Sequence, residues 1–252
     1  MFATEGAAYN VMKIATIGDL HLAHAPRLDR YWSSDAALAS LIDHLVAEHD
    51  QVALLGDVFQ VDQGLWPGTD PRRAAAIRRR FPAAFDRVEA AGCAWVEGNH
   101  DRGLPGARQS LRFEAAGLVV HCEHGDRVDP RGSGATSAAI TWGMGLLRRA
   151  GLGRACDRLG EGLLGPLHRR LQGPDLFTAA ADALLARGRD VVIFGHSHVP
   201  ACEARPGGVY ANAGVCAQAA PRYVSVDLTA RRVALRQLRS GAAVTLAERA
   251  LA

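Results

Sequence analysis

Five short polar signatures punctuate the chain, each directly after an apolar, strand-like run: Asp19-Leu20-His21, Gly56-Asp57, Gly98-Asn99-His100-Asp101, His124-Gly125-Asp126 and Gly195-His196-Ser197-His198. A chain with this pattern has to deliver Asp, Asn and His side chains repeatedly to the ends of strands. In open α/β sheets the carboxyl ends of strands are where ligands gather. The donors are oxygens and imidazoles with no thiolate, a set that suits Mn2+, Fe or Zn2+ and disfavours soft-metal chemistry. The set is large enough for two divalent ions side by side, with one histidine left over. Two adjacent ions suit in-line displacement at phosphorus above other reactions.

The runs themselves predict the fold class. Buried strands are expected at Val11–Ile17, Gln51–Leu55, Ala94–Glu97, Leu118–Cys122 and Asp190–Phe194, each an apolar stretch with a polar or glycine stop. Leu38, Leu41, Ile42 and Leu45 recur at helical spacing behind Ser33-Ser34-Asp35, which predicts a capped helix. A second helix is expected over Pro71–Ala90, with Pro82 as a break or kink. Later the pattern turns to strands alone: Val209–Ala211, Tyr223–Leu228 and Arg232–Leu238. Alternation followed by a meander predicts an α/β protein of two packed mixed β-sheets flanked by helices. Residues 131–189 differ in character, reading as helices Ala138–Ala150, Gly153–Leu171 and Pro174–Ala186. They are expected to form a helical cap inserted within a domain spanning 12–240, with residues 1–11 a disordered leader.

Composition narrows the function classes. With 252 residues, 48% of them apolar, one large core is expected. Five cysteines form no Cys-x-x-Cys pair, which predicts reduced thiols and a cytoplasmic location. No apolar run is long enough to span a bilayer. A net charge of +3, with no basic tract interleaved with aromatics, gives no reason to expect a nucleic-acid partner.

Taken in order, D-x-H, G-D, G-N-H-D, H and G-H-x-H resemble the motif set of the calcineurin-like metallophosphoesterase superfamily. The resemblance runs from about Met12 to Leu238, outside the helical insertion. It implies a four-layer sandwich and two divalent ions, Mn2+ first, with Fe, Zn2+ or Mg2+ as alternatives. It further implies that Asp19, His21 and His198 hold one ion, that Asn99, His124 and His196 hold the other, and that Asp57 bridges them. His100 would stand beside the substrate phosphate with Asp101 as its orienting partner, and Asn99, Arg102 and Arg127 would contact the substrate. Many members carry a further acidic residue soon after Gly-Asp. Here Asp62 occupies that neighbourhood and is not counted as a ligand.

The implied activity is hydrolysis of a phosphodiester or pyrophosphate. The place of the insertion looks like that of the UDP-2,3-diacylglucosamine pyrophosphatases. Their substrate, a nucleotide-linked lipid, is cleaved to lipid X and UMP, and a cap of this kind would permit peripheral contact with a membrane. That group often has Arg where this chain has His100. A cyclic-nucleotide or broad-specificity phosphodiesterase is the enzymatic alternative. A non-catalytic, metal-bound scaffold for protein binding is the alternative of another class.

Overall fold

Three parallel strands, β2 (Lys13–Ile17), β3 (Gln51–Leu55) and β4 (Ala94–Val96), lie side by side because the helices between them return the chain to the same end of the sheet. In the computed structural model that describes residues 8–9, 12–63, 70–129, 135–153 and 175–252, they form one half of a six-stranded sheet. Its other half is an antiparallel meander, β10 (Arg222–Asp227), β11 (Arg232–Arg239) and β12 (Ala242–Ala250), joined to β2 through β10. The second sheet runs β1 (Ala8–Tyr9), β5 (Ser110–Ala115), β6 (Leu118–Glu123), β7 (Val191–Phe194), β9 (Gly208–Asn212) and β8 (Ala201–Arg205) in spatial order.

Strand alternation divides the apolar residues among layers. In β3, Ala53 and Leu55 face the other sheet while Val52 and Leu54 face helices. In β7, Val191 and Ile193 point between the sheets while Val192 and Phe194 point outward. Strands buried on both faces read as unbroken apolar runs, which is why both were legible. Helices α1 (Asp35–Glu48), α2 (Pro71–Arg80) and α3 (Pro82–Ala90) cover the outer face of the first sheet through Leu41, Ile42, Leu45, Ile77, Phe81 and Phe85. Helix α5 (Asp175–Leu185) covers the second sheet, seating Phe177, Ala181, Leu184 and Leu185 against Val192, Phe194 and Tyr210. The result is the expected four-layer arrangement of helices, sheet, sheet and helix.

The break expected at Pro82 divides Pro71–Ala90 into two helices. Phe81, at φ −124° and ψ 51°, interrupts the helical backbone, because a residue before proline is pushed out of the helical region and Pro82 starts α3. Beyond residue 240 the first sheet gains one more strand: Ser240 and Gly241, at φ 49° and 81°, turn the chain back so that β12 pairs with β11 as far as Ala250. Ala8–Tyr9, within the expected leader, pairs with the open edge of β5. The remaining residues of 1–11 lie outside the described residues. Of the 131–189 segment, α5 is a flanking helix of the sheet. Helix α4 (Ala135–Arg149) lies instead against the turn Pro26–Leu28. The expected helix Gly153–Leu171 lies outside the described residues. Among the described residues no helix is long and apolar enough to cross a membrane.

Candidate metal centre

Each polar signature leaves the carboxyl end of its strand, and the two sheets bring these ends together. The first sheet supplies Asp19 and His21 after β2, Asp57 after β3, and Asn99 and His100 after β4. The second supplies His124 after β6 and His196 and His198 after β7. Main-chain bonds tie the loops in pairs. Asp19 N–H donates to Gly56 O at 3.1 Å, His21 N–H to Asp57 O at 2.8 Å, and Gly195 N–H to His124 O at 2.9 Å. His196 N–H donates to Asp19 Oδ2 at 3.2 Å, crossing from one sheet to the other.

Five candidate ligands adopt left-handed backbone conformations: Asp19 (φ 54°), His21 (48°), Asp57 (49°), His196 (62°) and His198 (59°). For a residue with a Cβ this costs roughly 1–2 kcal/mol each. The other described non-glycine residues with positive φ are Ala116, Arg231 and Ser240. Strain concentrated on one cluster of Asp and His marks a site whose geometry is enforced for use rather than for stability.

Ligand atoms meet in overlapping groups. Those of Asp19, His21 and His198 lie within 4.8 Å of one another, and so do those of Asp57, His124 and His196. Asn99 Oδ1 joins the second group at 2.9 Å from His196 Nδ1 and 3.3 Å from His124 Nε2. Asp57 faces both, with Oδ2 3.3 Å from His124 Nε2 and its carboxylate grouped with His21 and His100. All seven residues expected as ligands are thus brought together.

Hydrogen bonds outside the cluster fix which imidazole nitrogens face inward. His124 Nδ1 donates to Leu55 O at 2.8 Å, and His21 Nδ1 donates to Gln60 Oε1 at 2.8 Å. Each ring therefore turns Nε2 toward the centre, the arrangement in which a distal acceptor orients a metal-binding imidazole. His21 Nε2 and His198 Nε2 stand 3.2 Å apart. Among the described residues Asp19 Oδ1 is buried without a hydrogen-bond donor, with His198 Nε2 3.3 Å away. An orphaned buried carboxylate oxygen among converging nitrogens is the donor set a divalent cation fits.

The charges support the same fit. Burial alone would raise the Asp57 carboxyl, but His124 and His100 hold it well below the usual carboxylate range. Burial likewise opposes ionisation of Asp19, and His198 reverses the balance. Burial works against protonation of His124 and His100, yet Asp57 pushes them up to about 10 and about 9. His21 goes the other way: burial drives it down to about 3, which keeps its inner nitrogen free of a proton. Buried carboxylates here demand positive charge, which protons or cations can supply.

His100 does not rest on Asp101. Its Nδ1 lies 2.6 Å from Asp62 Oδ2 and 2.9 Å from Gln60 Nε2. Asp101 is buried beneath, accepting from Gly98 N at 2.6 Å, Val58 N at 2.8 Å and Phe59 N at 3.2 Å. Adjacent residues in a turn point different ways, so Asp101 braces the two loops while Asp62, from the neighbouring loop, reaches the imidazole. The acidic residue after Gly-Asp was the one available signal for Asp62. Gln60 was missed altogether, although it links His21 to Asp62 and His100. Asp129 was missed as well; it is buried, with Oδ2 3.6 Å from His196 Nε2. Arg102 and Arg127 are tied to Asp126 and Glu97. Asn212 supports the last loop, donating to Gly195 O at 2.9 Å.

Gly98 has no room for a side chain. A Cβ there would strike Asp57 Oδ1 and the Asp57 backbone nitrogen. Gly98→Ala is expected to displace the Asp57 carboxylate and to cost about 1–3 kcal/mol of stability. Thermal melts with and without Mn2+ check this, since the stabilisation by metal should shrink together with the melting temperature.

The family model for calcineurin-like phosphoesterase matches residues 12–200, well over half of the chain. No curated protein sequence matches it. In architecture the chain is similar to a dimetal phosphatase from Danio rerio at TM-score 0.53 and 14% identity, with 94% of this chain and 99% of that one covered. It is also similar to a single mutant of Vps29 from Entamoeba histolytica at TM-score 0.51 and 14% identity, with 93% and 97% covered. At that identity the likeness concerns the fold alone.

Proposed function

Because the chain belongs to the calcineurin-like phosphoesterase family, we propose that it is a dinuclear, metal-dependent hydrolase of a phosphodiester or pyrophosphate. The observation that carries this reading is the convergence of Asp19, His21, Asp57, Asn99, His124, His196 and His198 from both sheets, five of them held at positive φ. In this reading Asp19, His21 and His198 hold one ion, Asn99, His124 and His196 hold the other, and Asp57 lies between them. Mn2+ is the first choice, with Fe, Zn2+ and Mg2+ as alternatives. Bound there, such ions supply Lewis acidity toward a phosphoryl group and make a water acidic enough to act at neutral pH.

The chain's own part is positioning and proton control. Leu55 O and Gln60 keep His124 and His21 in the tautomer that leaves Nε2 inward. His100 is gripped at Nδ1 by Asp62, which leaves its Nε2, 3.8 Å from Asp57 Oδ2, to donate to a phosphoryl or leaving-group oxygen.

A finer reading, hydrolysis of UDP-2,3-diacylglucosamine, draws support from the rim. Helix α4 and the residues just after it expose Leu147 (43%) and Leu152 (50%), apolar surface of a kind that suits an acyl chain. The test is to incubate metal-free protein with Mn2+ and, in parallel, bis-p-nitrophenyl phosphate, p-nitrophenyl phosphate and the UDP-lipid. Mn2+-dependent cleavage of the small diester is expected. Release of UMP from the lipid would add the finer reading, and an untouched lipid would remove it. No turnover of any substrate with two ions bound would return the chain to a non-catalytic scaffold.

A further inference from the structure

Between the candidate ligand His21 and the imidazole of His100 lies a buried side chain that belongs to none of the five signatures, Gln60. Its segment is held by both loops it serves. Gln60 N–H donates to Leu22 O at 2.9 Å, and Val61 N–H donates to His100 O at 3.4 Å. Leu22 N–H returns to Val58 O at 2.9 Å, so the segment runs beside Leu22 as a short parallel bridge. The Gln60 carboxamide touches three groups of the site. One end is 2.8 Å from His21 Nδ1; the other is 2.6 Å from Asp62 Oδ1 and 2.9 Å from His100 Nδ1.

Hydrogen-bond chemistry fixes which end is which. An ionised carboxylate only accepts, so the end facing Asp62 is the NH2 group and the end facing His21 is the carbonyl. A carbonyl also only accepts, so His21 keeps its proton on Nδ1 and offers Nε2, which stands 3.2 Å from His198 Nε2. Asp62 then takes Gln60 on Oδ1 and His100 on Oδ2, at 2.6 Å each. The two imidazole rings stand edge to face with centroids 5.2 Å apart, and the Gln60–Asp62 pair spans their outer nitrogens. A carboxamide accepts at one end and donates at the other. A carboxylate in its place could serve His21 alone, and a thioether has no proton to give and accepts only weakly.

We infer that Gln60 is a positioning residue that joins His21 to His100 through Asp62, so that one proposed metal position and the imidazole beside the substrate phosphate are held as a single unit. Hydrogen bonds chained in this way strengthen one another in a buried setting. Outer partners of metal ligands typically carry 10–100-fold in metal affinity or activity, and here one side chain reaches both. The inference deepens the phosphoesterase reading and rests on it for the effect on rate, whereas the link between the two rings can be measured apart from it.

The imidazole nitrogens report the link directly. In Zn2+-loaded, full-length protein, long-range proton–nitrogen NMR signals of His21 and His100 are expected to shift in Gln60→Met. Those of His124 should stay in place, because its Nδ1 bonds to Leu55 O instead. Unmoved signals from His21 or His100, or equal movement of all three rings, overturn the inference. Should Gln60→Met not fold, Gln60→Glu decides at about pH 8.5, well above the ordinary carboxylate range. It keeps the acceptor for His21 and lacks the amide protons, so His100 is expected to move while His21 holds; an unmoved His100 overturns the link. Turnover of bis-p-nitrophenyl phosphate at saturating Mn2+ completes a mutant cycle. Gln60→Met is expected to lower kcat by about 10–100-fold in the wild-type background and by less than about twofold in His100→Gln, because its effect passes through His100. Equal losses in both backgrounds overturn the inference. No turnover by wild type, with His21 and His100 still shifting together, leaves the link standing and removes the phosphoesterase reading.

Discussion

Asp57→Asn is expected to lower metal-dependent turnover of bis-p-nitrophenyl phosphate by at least about 10³-fold, a loss of some 4 kcal/mol from the transition state. The substitution keeps the shape of the side chain and removes its charge. Asp57 is the carboxylate that faces both groups of candidate ligands, and His100 N–H also donates to its Oδ1 at 2.9 Å. Two readouts belong together here. Turnover should fall, and the rise in melting temperature on adding Mn2+ should shrink, because a ligand that binds only the folded state stabilises it by an amount that grows with the logarithm of its affinity. Full metal stabilisation in an inactive Asp57→Asn protein would mean that Asp57 is not a ligand.

His100→Gln should separate chemistry from metal binding. A positioned proton donor contributes typically 10²–10⁴-fold, so kcat is expected to fall by about that factor. Metal content and metal-induced stabilisation should stay at wild-type levels, because His100 belongs to neither proposed ligand set. Asp62→Asn is expected to act in the same direction and more weakly, by about 10–100-fold, as changes to an outer carboxylate usually do. Loss of metal from His100→Gln would place its imidazole among the ligands, an arrangement that its grouping with His21 and Asp57 permits.

What could be read in advance follows from burial. The strands carrying the signatures are covered on both faces, so Val52–Leu55 and Val191–Phe194 are continuous apolar runs that end where the ligands begin. Edge strands gave no such signal. Ala201–Arg205 is half-exposed and Ala242–Ala250 almost wholly exposed, both are rich in Ala with a Glu each, and both locally resemble helix; pairing with β9 and β11 overrides that preference. Ser110–Ala115 hides Leu111, Phe113 and Ala115 behind Arg112 and Glu114. At the site, residue types and order were legible, whereas orientation was not. The partner of His100 depends on how the loops after β3 and β4 pack, and adjacency in the chain pointed to Asp101. Left-handed conformations at Asp19, His21 and His198 are only weakly signalled by residue type, since Asp and His are enriched at positive φ but adopt it in a small minority of cases.

That the candidate ligands come from both sheets bears on how long the protein survives. Asp19, His21, Asp57 and Asn99 follow strands of one sheet, and His124, His196 and His198 follow strands of the other, so bound ions would rivet the sandwich at one end. Each ion present at a hundredfold excess over its dissociation constant adds about 2.7 kcal/mol to the folded state. When metal is scarce, that end would open first, exposing the seam to proteases while the core below stays shut. Metal supply would then govern turnover of the protein itself as well as turnover of its substrate.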